Sequence, residues 1–103
     1  MQATLLIRRR ARLRPGTFTE VVIWRLPRRV PGSQHRYKYR MALVDRGVCV
    51  LRYDNEAGKG DHRHIGDLET AYGFTTVEQL LDDFDADIGR FLDEHPGDWE
   101  PAA

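Results

Sequence analysis

The stretch Gly58-Lys59-Gly60-Asp61-His62-Arg63-His64 sets five ionisable side chains among glycines. An imidazole, with an unperturbed pKa of about 6.5, gives or takes a proton at neutral pH. His62 and His64 can therefore supply one acid and one base. Lys59 and Arg63 suit a phosphate and the charge that builds on it during transfer. Asp61 can orient an imidazole by accepting its N–H. A base, an acid and a cation at phosphorus are what RNA cleavage by 2′-hydroxyl attack needs, with no metal or cofactor. Just upstream, Tyr53-Asp54-Asn55-Glu56 adds an aromatic ring able to stack a base, and further hydrogen-bonding groups.

The same residues admit plainer readings. A surface loop would use its glycines for turns and leave its charges solvated. A metal reading needs a third ligand. His62 and His64 share a face in an extended segment, and Asp61, Asp67 or His35 could join them, but spacing settles only two ligands, so no metal is assigned. Cys49, the lone cysteine, falls in an apolar run and reads as an inert core residue. Trp24 also reads as core. Trp99 reads as a partner anchor or as packing over a helix end. His95 reads as a charge at a helix C-terminus.

The elements that position this stretch follow from periodicity. Ala3–Leu13 reads as a strand with Leu5, Ile7, Ala11 and Leu13 on one side and Arg8, Arg10 and Arg12 on the other. After the turn Pro15-Gly16, residues 17–26 are rich in β-branched and aromatic types and should pair back as a hairpin. Phe18, Val22, Trp24 and Leu26 share one face there; Val21 and Ile23 take the other. Pro27–Ser33 is a loop. His35–Val44 is a third strand, with Tyr37, Tyr39, Met41 and Leu43 opposed to Arg36, Lys38 and Arg40. Asp45-Arg46-Gly47 turns into a fourth, where Cys49, Leu51 and Tyr53 alternate with Val48, Val50 and Arg52. Thr75 and Glu78 form a capping-box signature for a helix. Val77, Leu80, Leu81, Phe84, Ile88, Phe91 and Leu92 recur at helical spacing, and Asp82, Asp83, Asp85 and Asp87 take the polar face.

The expectation is a single α+β domain over 1–103. An antiparallel meander sheet of about four to five strands spans residues 3–54, with one C-terminal amphipathic helix (76–94) on one face. Residues 54–67 are a glycine-rich functional loop, and 96–103 a frayed tail.

Charge is segregated along the chain. Residues 1–40 hold 11 cations against the single acid Glu20, and residues 41–103 hold 5 cations against 15 acids, so a formal net charge of zero conceals two opposite halves. Arg8, Arg10, Arg12, Arg36, Lys38 and Arg40 should form a stripe on the sheet face away from the helix, a footprint for RNA or an acidic partner. With 41% hydrophobic and 31% charged residues, the composition is that of a globular domain rather than a disordered chain. No apolar run approaches the ~20 residues of a membrane span. Met1–Ile7 runs into Arg8-Arg9-Arg10 without the pattern of a signal peptide. A cytoplasmic protein with no membrane partner is expected.

VVIWRLPRRVPGSQHRYKYR, YDNEAGKGDHRHIGD and FTTVEQLLDDFDADI together resemble the TumE-like family of bacterial and archaeal toxin–antitoxin proteins, over about residues 4–92. The resemblance implies the toxin half of a pair, encoded beside a small helix-turn-helix antitoxin. It assigns no catalytic residue. Three functions follow from the residues. The first is a metal-independent endoribonuclease using His62, His64, Lys59, Asp61 and Arg63. The second is a non-catalytic protein that binds nucleic acid or an acidic partner through its basic face. The third is a metal-dependent phosphodiesterase. An antitoxin should cover the loop or the stripe with an acidic segment, and open strand edges invite a homodimer.

Overall fold

The computed structural model describes residues 2–97. Six strands form one antiparallel meander in chain order: β1 (Thr4–Arg14), β2 (Thr17–Arg25), β3 (Tyr37–Asp45), β4 (Val48–Glu56), β5 (Gly60–Ile65) and β6 (Leu68–Ala71). One helix, α1 (Val77–Glu94), covers one face. The fold is the expected α+β meander with slightly more strands. One additional strand, β5, comes from the stretch expected to be a loop, and the other, β6, from the residues just after it. β4 runs on to Glu56, and β5 and β6 pair back as a second hairpin. Apolar alternation cannot reveal β5, because its side chains are charged on both faces. Backbone hydrogen bonds to β4 hold it instead.

Two-residue hairpins set the register. At Arg46-Gly47 both residues have positive φ, 51° and 79°, the turn whose twist matches that of paired strands. The core face of β2, β3 and β4 carries Val21, Ile23, Tyr39, Met41, Leu43, Leu51 and Tyr53, all buried, against Leu80 and Phe84 of α1. The helix begins one residue later than the capping-box expectation. Thr76, not Thr75, is the N-cap, and its hydroxyl accepts from the Gln79 N–H at 3.0 Å. His95 closes the other end, its N–H bonded to the Phe91 carbonyl and its ring stacked on Phe91 at 4.3 Å.

Four further expectations are corrected. Cys49 is exposed rather than core. The β3–β4 pairing runs Leu43 to Leu51 and then Val44 to Cys49, so Val50 is an extra, bulged residue that turns Cys49 to the opposite face. Trp24 is half-buried on the face away from the helix, because the core side of β2 is the Val21–Ile23 side. Asp87 is buried rather than on the polar face; it follows Leu80 and Phe84 at helical spacing, so it points at the sheet. Arg36 precedes β3 and lies exposed in the β2–β3 connection, so the third strand starts at Tyr37 rather than His35. Trp99 and residues 98–103 lie outside the described residues.

That connection packs against the β4–β5 turn. Gly58 N–H donates to the Pro31 carbonyl at 2.6 Å. Gly32, at φ 89°, lies so close that a Cβ there would meet the Gly58 carbonyl carbon and the Gly60 nitrogen at 2.9 Å. The chain before β3 and the glycines before β5 thus fix each other.

Candidate active site

Partners across an antiparallel ladder share a face. Arg8 lies opposite Val22, Val22 opposite Arg40, Arg40 opposite Asp54, and Asp54 opposite His62. The neighbouring row runs Arg10, Glu20, Ala42, Arg52, His64 and Glu69. Arg8, Arg10, Arg12, Lys38, Arg40, His62 and His64 therefore project from one face of the sheet, the face opposite α1. From β1 to β5 is four strand spacings, about 19 Å.

The histidines line a cleft of about 200 Å³ with Arg52, Asp54, Glu56, Lys59 and Glu69. Their ring centroids are 6.5 Å apart. His62 Nε2 donates to the Lys59 carbonyl at 2.7 Å, while its Nδ1 lies 3.2 Å from Glu69 Oε1. Both its nitrogens face oxygen, although the approach of Nδ1 to Glu69 lacks hydrogen-bond geometry. His64 Nε2 is 3.2 Å from Arg52 Nη2. A guanidinium only donates, so this His64 nitrogen carries the lone pair and Nδ1 the proton. The Arg52 Nε is 3.1 Å from Asp54 Oδ2. Lys59 is exposed and pairs with Glu56 at 3.1 Å, and its ammonium holds the Glu56 carboxyl below the usual range.

Asp61 and Arg63 are placed elsewhere. Both project from the opposite face of β5, because neighbouring residues of a strand alternate. Asp61 accepts from Ser33 Oγ at 2.6 Å, Tyr39 OH at 2.6 Å and His35 Nε2 at 2.7 Å. His35 Nδ1 accepts the Tyr37 N–H at 3.0 Å, which leaves the ring proton on Nε2. Asp61 does orient an imidazole, but that of His35, whose ring stacks on Phe74 at 3.8 Å. Arg63 reaches Asp87, the buried carboxylate of α1, at 3.5 Å, and Asp87 also takes Arg90 and the Tyr53 hydroxyl. The expected five-residue cluster thus divides into His62, His64 and Lys59 on the open face and Asp61 and Arg63 beneath it. The third metal-ligand candidates His35 and Asp61 leave with the buried group. Among the described residues no three His, Cys, Asp or Glu side chains gather as a metal site.

Tyr53, expected to stack a base, is 0% exposed. Its ring packs edge-on against Phe84 and Tyr72. Burial first, and the bond to Asp87 second, push its hydroxyl pKa far up. Asn55 explains why the neighbouring motif is polar. It is fully buried, accepts the Tyr39 N–H at 3.0 Å and donates to the Tyr37 carbonyl at 2.7 Å, so it bonds the backbone of β3 beyond the last paired residues. Lys38 turns its ammonium to the Asn55 carbonyl.

Arg52 and Glu69 were not singled out by sequence reading, and Asp54 was named only among the hydrogen-bonding groups beside Tyr53. The signal that could have found them is cross-strand: once 60–65 is a strand, Arg52 and Asp54 must face His64 and His62.

The geometry defines a small α+β protein with one sheet face sealed by a helix and the other left open, carrying cations at one side and a histidine cleft at the other. Residues 3–92 match the family described as Toxin TumE, and the chain belongs to that family. It is thus a toxin of a toxin–antitoxin system, which implies an antitoxin partner. Comparison with curated proteins and with solved structures finds no match. Among the described residues no helix is long and apolar enough to cross a membrane.

Proposed function

We propose that this toxin cleaves RNA without a metal, using His62 and His64 as the proton-transfer pair. The observation that carries the reading is the shared face: Arg40, Asp54 and His62 occupy one cross-strand row, and Arg8 extends that row to the edge strand. An RNA strand held through its phosphates by Arg8, Arg10, Arg12, Lys38 and Arg40 crosses the sheet into the cleft. Arg36, exposed in the β2–β3 connection, adds to the attraction.

The hydrogen bonds suggest an order for the histidines. When Arg52 turns to a non-bridging phosphate oxygen, His64 Nε2 is freed to take the 2′-hydroxyl proton. The 2′-oxygen then bonds phosphorus, the bond to the 5′-oxygen breaks, and His62 gives its proton to the leaving oxygen. The products are a 2′,3′-cyclic phosphate and a 5′-hydroxyl end. Lys59 and Arg52 offset the charge on the phosphate. Asp61 and Arg63 act as positioning residues. They hold β5 from beneath, through His35 and Asp87 respectively.

His62→Ala and His64→Ala should each lower cleavage by roughly 10²- to 10⁴-fold and relieve growth arrest. Intact toxicity in both, with RNA still cut, refutes the mechanism. A binding protein that acts by occupancy is the second reading, supported by the cations on β1 about 19 Å from the cleft. It requires that reversal of Arg8, Arg10 and Arg40 abolish function while the histidine changes do nothing. The antitoxin, a small helix-turn-helix protein in this proposal, neutralises by laying an acidic segment over the open face inside the cytoplasm. Exposed Leu5, Leu6 and Leu13 on edge strand β1 also suit a homodimer.

A further inference from the structure

We propose that Trp24 floors a nucleobase-stacking subsite beside the histidine cleft, filled by a base of single-stranded RNA beyond the nucleotides that flank the scissile phosphate. The inference rests on the RNA reading of the open face. A groove of about 420 Å³ is lined by Val22, Trp24, Lys38, Arg40, Asp54 and Glu56. Asp54 and Glu56 also line the histidine cleft, so the two hollows adjoin. Trp24 lies opposite Leu5 on one side and Lys38 on the other, on the face that α1 does not cover.

The indole is half-buried on the sheet face that α1 leaves uncovered, with part of its surface open to the groove. Among the described residues no ring stacks on it and its N–H has no partner. Its apolar surface, joined to that of Val22, lies alongside Lys38 and Arg40 of the neighbouring strand β3, which can hold the phosphates next to a stacked base. That combination of aromatic floor and cationic rim is how proteins hold single strands. Three strand spacings, about 14 Å, separate β2 from β5. The base on Trp24 therefore belongs to a nucleotide beyond the one being cut.

The chain has two tryptophans, so Trp99→Phe isolates the emission of Trp24. In that background hexa-adenylate should quench the fluorescence. Trp24→Ala should weaken hexa-adenylate binding roughly 5- to 150-fold. Trp24→Phe should retain most of the affinity, and an abasic site at the stacked position should cost the parent protein but not Trp24→Ala. A thermal melt of each variant separates lost stacking from lost fold. If hexa-adenylate is retained while the emission of Trp24 stays constant, or if Ala and Phe at position 24 are equivalent, the subsite is refuted. If hexa-adenylate binds and quenches but RNA is never cut, the subsite stands and the histidine mechanism falls. If no RNA binds at all, both fall.

Discussion

Raising the pH should unfold this protein through two buried phenols, and the size of the effect follows from their surroundings. Tyr39 and Tyr53 are 1% and 0% exposed. Each donates its hydroxyl proton to a carboxylate, Tyr39 to Asp61 and Tyr53 to Asp87. Burial foremost, then the neighbouring carboxylate, pushes both phenols well above the usual tyrosine range. In the unfolded chain they ionise near pH ~10. Above that pH the folded state binds more protons than the unfolded one, so stability falls as pH rises. The stabilising contribution is complete below about pH 10 and is lost above it. Two phenols give a slope of at most about 2.7 kcal/mol per pH unit. Tyr72, half-buried and raised by burial and then by its bond to Asp83, steepens the slope to a smaller degree. A domain at the lower end of the ~5–15 kcal/mol range would lose its stability within roughly two pH units. Urea denaturation at a series of alkaline pH values measures the slope directly. Tyrosinate absorbance from these two residues should appear together with loss of circular dichroism, not before it. Tyr39→Phe should reduce the slope by about 1.4 kcal/mol per pH unit. Normal titration of both phenols with the fold intact would refute the reasoning, and with it the assignment of Tyr53 to the core.

The remaining predictions concern packing and charge. Gly32→Ala combines a left-handed φ with 2.9 Å contacts to the β4–β5 turn, and should cost about 1–3 kcal/mol in a urea titration; an unchanged midpoint would show that the two loops do not lock together. Cys49 is exposed, so it should react stoichiometrically with an aromatic disulfide reagent in the native state. Reaction only after denaturant would place the bulge at Val50 wrongly. Arg8→Glu and Arg40→Glu should each lower the salt dependence of RNA binding by about one unit of slope per phosphate contact removed, and equal slopes for parent and variants would take the strand off this face.

The local pattern of the chain carried much of the fold. Period-two alternation in β2, β3 and β4 and the helical spacing from Val77 to Phe91 are properties of neighbouring residues, and each predicts a buried face without reference to the rest. The same parity put Arg8, Arg10 and Arg12 on one side of β1, and Lys38 and Arg40 on one side of β3. Family membership was legible too, in the motifs around Tyr53 and His62. Alternation could not say which side of β2 meets the helix, because that strand is apolar on both. Pairing decided it, burying Ile23 and leaving Trp24 open, just as it closed Tyr53 to any base.

The candidate site depended still more on partners distant in sequence. Composition brought Lys59, Asp61, His62, Arg63 and His64 together, but a strand sends adjacent side chains to opposite faces. Once β4 recruits Gly60–Ile65 as a strand, the histidines must separate from Asp61 and Arg63. The buried charge of Asp87 is tolerable because Arg63 and Tyr53 reach it across the sheet from β5 and β4, beside Arg90 of its own helix, and Cys49 turns outward only because one residue of β4 has no counterpart in β3. Residue order alone determined which side chains lie near one another along the chain and with what period. Tertiary structure alone decided which of them meet, because a face is defined by what pairs beside it and what packs over it.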